Sequence, residues 1–179
     1  MKHFIAFFSL LIISVSLFGQ NLNFQFSRPL LHKFDSIERS LGGIQKEYNY
    51  TISIDSNYFP NTYLFDLENP KVFLQKNGRI VLETSCYYSK QDSIVRLIEY
   101  NWDFTQKLTK QLKNTFNKNQ KNITKQLNRK GLYLKEEMGT PNNIWTRESV
   151  IWENENSFVR LFKINGQGTY RVRVLISYK

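Results

Sequence analysis

The chain has 179 residues, with 25 Lys and Arg against 15 Asp and Glu, for a formal net charge of +10. Its single cysteine, Cys86, excludes an internal disulfide, and one cysteine with two histidines cannot supply the common His/Cys zinc sets. The dinucleotide-binding glycine fingerprint, the P-loop and the HExxH zinc signature are all absent from the sequence.

Met1, Lys2 and His3 make a short basic start, and an apolar run from Phe4 to Phe18 follows, broken only by Ser9, Ser14 and Ser16. Gly19 then offers a small residue, and polar chain begins at Gln20. This three-part layout predicts a secretory signal peptide over 1–19, of the Gram-negative bacterial type. The expected product is a single domain over 20–179, periplasmic or extracellular and free of lipid, since Gln20 stands where a lipoprotein has Cys. Leu17 sits where a small residue is preferred, so an N-terminal membrane anchor is the alternative, although the run is shorter than the ~20 residues of a span.

The segment before Pro29 reads as extended, because a residue preceding proline is pushed out of the helical region. Leu30, Phe34, Ile37 and Leu41 recur at helical spacing, and Gly42-Gly43 supplies a stop. His32 lies on that helix near the apolar face. Tyr48, Tyr50, Ile52 and Ile54 alternate as a strand, and "TYLFDL" between Pro60 and Pro70 reads as another. "VFLQKNGRIVLETSCYY" is a hairpin turning at Asn77-Gly78, with Cys86 on the face of Ile80, Leu82, Thr84 and Tyr88. "DSIVRLIEYNW" is the next strand.

Asp103 stands as a cap for a helical pattern beginning at Phe104. At 100° per residue, Phe104, Leu108, Leu112, Phe116, Ile123, Leu127, Leu134 and Met138 fall on one side. Lys107, Lys110, Lys113, Lys118, Lys121, Lys125 and Arg129 fall on the other, and from Gln106 to Gly131 there is no acidic residue. The expectation is one long helix over 104–138, or two short ones divided near Gly131, ending with Gly139 as C-cap before Pro141. "WTRESVIWEN", "SFVRLFKI" and "TYRVRVLISYK" then form a β-meander with turns at Asn154–Ser157 and Asn165-Gly166. In the last strand Tyr170, Val172, Val174, Ile176 and Tyr178 face one way, and Leu175 interrupts the polar set on the other.

The fold class is therefore α+β. It is an antiparallel sheet of about six to seven strands covered on one face by helices, with a plan suggesting two helix-plus-three-strand halves. The sequence assigns no catalytic residue, cofactor or metal ligand. The paired carboxylates Asp35 and Glu38 are the nearest thing to an acid–base couple, and such a role requires a pocket that raises one pKa.

The chemistry that remains is binding. A solvated helix face usually mixes signs, because Glu-to-Lys pairs four apart support a helix and like charges oppose it. The unrelieved cationic stripe points to an anionic partner: a membrane surface, a polysaccharide or an acidic protein. Export argues against nucleic acid. The sequence thus reads as a secreted, non-enzymatic binding protein, with a small carboxylate- or Tyr/Arg-based hydrolase and an inert structural protein as alternatives.

Overall fold

A computed structural model describes residues 22–48, 67–77, 80–140, 143–166 and 168–179. The expected signal peptide and most of the strand readings between Tyr48 and Pro70 lie outside these residues. In chain order the elements are α1 (Leu31–Ser40), β1 (Ile44–Lys46), β2 (Lys71–Asn77), β3 (Ile80–Tyr88) and β4 (Val95–Phe104). A 3-10 turn (Gln106–Leu108) leads into α2 (Thr109–Leu127), followed by β5 (Leu132–Thr140), β6 (Asn143–Glu153), β7 (Ser157–Gly166) and β8 (Thr169–Tyr178).

The eight strands form one antiparallel sheet in the order β1-β2-β3-β4-β8-β7-β6-β5. Among the described residues each helix is thus followed by four strands that lie as a meander in the sheet, and the two meanders join where β4 pairs with β8. The α+β class with an antiparallel sheet holds. Among the described residues the strand count is eight, against the expected six to seven, and four strands rather than three follow each helix.

The second excess strand, β5, comes from a segment read as helix. α2 ends at Leu127 because Asn128 adopts the left-handed conformation, φ 46°, and the amides of Asn128 and Arg129 close onto the Lys125 and Thr124 carbonyls. Beyond it, "LYLKEEMGT" pairs in register with β6, Leu132 opposite Ile151 through Thr140 opposite Asn143. Leu134 and Met138 are therefore strand residues, and Gly139 is no helix cap. The start differs as well. Asp103 and Phe104 end β4, Asp103 accepts an ion pair from Arg171 at 2.6 Å, and Leu108 occupies the N-cap position of α2. The first meander gains β1, three exposed residues too short for any periodicity.

The core follows from strand alternation. Cys86, Ile98, Ile176, Val159 and Trp152 make one row across β3, β4, β8, β7 and β6. Thr84, Tyr100, Val174, Leu161 and Val150 make the next, and both rows are buried. Leu112, Phe116 and Ile123 of α2 join this cluster, and α2 lies against β7, β8 and β4. Phe34 of α1 packs edge-on to Phe73 at 5.8 Å, while Leu30 and Leu41 of the expected apolar stripe stay exposed, as does His32.

The N-terminal segment anchors to the core through Phe24, buried against the Tyr100 ring at 5.1 Å, with Leu22 and Phe26 packed beside it. On the opposite sheet face Tyr87, Leu97, Phe162 and Leu175 form a smaller buried cluster, which accounts for Leu175 interrupting the polar set.

Candidate functional site

α2 forms despite an Asn-rich middle of low intrinsic helix propensity, because its inner side is held by packing. Leu112, Phe116 and Ile123 enter the core. Asn119 and Asn122 are buried beside them, and the Asn122 amide donates to the Leu22 carbonyl at 2.6 Å. Gln126 donates both to that carbonyl and to the Asn122 oxygen, each at 2.9 Å. With the inner side fixed, the outer side is fixed too. Lys107, Lys110, Lys113, Lys118, Lys121 and Lys125 are all exposed. They fall within about 140° of arc, and the helical part of the stripe from Lys110 to Lys125 runs about 22 Å along the axis.

Two of the predicted residues stand slightly apart. Lys107 lies on the 3-10 turn that leads into α2. Arg129 lies past the helix end, where its guanidinium donates to the Glu153 carbonyl. There it lines an open depression of about 750 Å³ together with Leu127, Asn128, Glu153, Glu155 and Lys179. The charge of that depression is mixed, and Lys179 reaches Glu153 at 2.8 Å. The structure thus brings the six lysines together as one stripe and sets Arg129 in a different environment at its end. Exposed Lys130, outside the predicted set, adds a cation there.

The electrostatics of the stripe differ from those of the sheet. Lys71 pairs with Asp35, Arg147 with Glu136, Lys163 with Glu148, Arg171 with Asp103 and Arg173 with Glu99. Among the described residues, none of the six stripe lysines has a carboxylate within ion-pair distance. The first turn of α2 holds no acidic residue, so Lys107 and Lys110 sit uncompensated at the positive end of the helix dipole. Lys125 in the last turn is favourably placed.

The carboxylate couple on α1 resolves into two unlike groups. Asp35 accepts from Lys71 Nζ at 2.5 Å. Glu38 is only 2% exposed, with Gln75 Nε2 donating at 3.2 Å and Thr84 close by. Burial raises the Glu38 pKa to about 7 against the opposing pull of those two neighbours. The Cys86 thiol is buried on the same side of the sheet, and burial pushes its pKa up as well. Sequence reasoning missed the burial of Glu38. Its helix position one turn beyond Phe34 was the signal that it faces inward.

Among the described residues no group of three His, Cys, Asp or Glu side chains could hold a metal ion, and no helix is long and apolar enough to cross a membrane. No protein-family model, curated protein or solved structure matches the chain.

Proposed function

We propose that this is an exported, non-enzymatic binding protein: a helix-backed sheet that presents the outer face of α2 to an anionic surface. The observation that carries the reading is the unequal use of acidic residues. Carboxylates hold Lys71, Arg147, Lys163, Arg171 and Arg173 on the sheet, while among the described residues the six lysines of α2 and its leading turn stand without one. Like charges three and four apart cost a few tenths of a kcal/mol per pair, and cations at a helix N-terminus add to that cost. A counter-anion brought by a partner relieves both.

Packing of Leu112, Phe116 and Ile123 against the core holds α2, and with it the stripe, in a fixed place on the sheet. That suits a flat array of charges such as a bilayer with anionic head groups, where each lysine near the surface contributes about 1 kcal/mol. A hydrolase reading is less well supported. Glu38, whose pKa suits an acid–base role, lies 2% exposed beneath α1, and its neighbour Asp35 is held by Lys71.

Vesicle co-sedimentation of the secreted protein tests the proposal. Anionic vesicles should bind it at about 10 mM salt and release it as the ionic strength rises past about 150 mM, where the Debye length shrinks to about 8 Å. Zwitterionic vesicles should not bind. Replacing Lys110, Lys118, Lys121 and Lys125 together by Glu should reduce binding more than a hundredfold with an unchanged circular dichroism spectrum. Equal binding by wild type and variant, or no binding at low salt, overturns the reading.

A further inference from the structure

β5 is an edge strand of unusual character. Among the described residues it pairs with β6 alone, so the backbone groups along its other side have no strand partner. It is nine residues long, and Leu132, Tyr133 and Leu134 are 63%, 48% and 37% exposed. Soluble proteins blunt such edges with proline, bulges, short strands or charged side chains; β5 has charges only at its centre, Lys135 to Glu137, after an apolar start, and an unpaired edge is a template for another strand. β5 lacks proline, and its register with β6 runs without a break.

The charges on this strand say which strand fits. Glu136 is already paired with Arg147 at 2.7 Å. Glu137 has no ion-pair partner among the described residues, and Lys135 stands opposite Glu148, which Lys163 already holds at 2.8 Å. Lys135 and Glu137 lie two apart, hence on one sheet face, with opposite sign. Glu136 is the midpoint of Leu132–Thr140. A two-fold axis through Glu136, perpendicular to the sheet, therefore lays β5 antiparallel on a second β5 with all nine residues overlapping.

In that register Lys135 faces Glu137 of the second copy and Glu137 faces its Lys135. On the other sheet face Leu134 meets Met138 of the second copy, twice over. Glu136 meets its own counterpart on the axis, each already neutralised by Arg147. Moving the axis by one residue in either direction sets Lys135 against Lys135 or Glu137 against Glu137, which opposes pairing.

We infer that the protein forms a two-fold dimer by antiparallel pairing of β5 with β5, in the register centred on Glu136. The pairing closes the β5 edge of each copy and joins the two eight-stranded sheets into one. It is independent of the basic stripe. One consequence links the two surfaces: an axis perpendicular to the sheet puts both copies of α2 on the same side.

Light scattering coupled to size exclusion, over a concentration series of the secreted protein without vesicles, tests the inference. Wild type should be dimeric at tens of micromolar. Lys135→Glu alone and Glu137→Lys alone each set like charges opposite one another, and each should weaken the dimer by at least about tenfold. The double variant Lys135→Glu/Glu137→Lys restores opposite charges and should dimerise as wild type does. Circular dichroism on all four proteins separates dissociation from misfolding. A monomeric wild type overturns the inference. So do single variants as dimeric as wild type, or a folded double variant that stays monomeric.

Discussion

Glu38 carries the clearest consequence at the scale of one residue. Its carboxyl lies under α1 with Gln75 as a hydrogen-bond donor, and burial raises its pKa from 4.5 to about 7. Between those values the folded protein holds a proton that the unfolded chain has released. Stability therefore falls as the pH rises from about 4.5 through about 7, and levels off above. The shift corresponds to at most about 3 kcal/mol. Glu38→Gln keeps the shape and an acceptor for Gln75 while removing the charge. In urea denaturation the variant should match wild type near pH 4.5 and exceed it by about 2–3 kcal/mol at pH 8. A wild-type-minus-variant difference that is the same at both pH values would show that Glu38 is not buried in its charged form at pH 8.

At the scale of elements, Gly131 distinguishes two accounts of why α2 stops. As a mere interruption of a longer helix, Gly131→Ala would stabilise by up to about 1 kcal/mol. The structure gives it another task. A Cβ there would meet Val150 Cγ1 at 2.5 Å and Trp152 Cε2 at 2.6 Å, both side chains buried. Gly131→Ala should therefore destabilise by about 1–3 kcal/mol in denaturant unfolding, as overpacking does, and stabilisation would revive the helix account.

The same region shows where legibility ended. The hairpin at Asn77, the alternation in β8 and the two-sided pattern of α2 could be read because each follows a strict local period. β5 could not. Leu134 and Met138 continue the helical spacing of Leu127, and neither face of this strand is buried enough to impose a period of two. The termination at Asn128 rests on one left-handed residue, which many Asn residues never adopt. The lysines of the stripe were legible from spacing alone. The separate setting of Arg129 depends on Glu153, 24 residues away, and was not.

Across the whole molecule, the two meanders meet at a single seam, and its chemistry determines whether they unfold together. β4 and β8 share buried Ile98, Tyr100, Val174 and Ile176 on the helix side. On the other side Arg173 reaches diagonally to Glu99 and Arg171 crosses to Asp103. Glu99 is the critical partner: its side chain is 9% exposed, and Tyr87 Oη also donates to it at 3.4 Å. The Arg173 guanidinium lies 5.6 Å from the Phe162 ring centroid, so a long apolar side chain fits its path.

Arg173→Met should leave Glu99 buried without its cation and cost about 2–4 kcal/mol, discounted from a fully buried pair because Arg173 is 30% exposed. Adding Glu99→Gln removes the orphaned charge and should recover most of that loss, since replacing both members of such a pair is nearly neutral. Because the seam is continuous with the core on both sides, wild type and both variants should unfold in one transition. Tryptophan fluorescence, drawn from Trp102 in the first meander and Trp145 and Trp152 in the second, should coincide with far-ultraviolet circular dichroism. A single variant losing less than about 0.5 kcal/mol would mean the pair is solvated like a surface bridge. Separate transitions would mean the halves fold independently and the seam is only a docking contact.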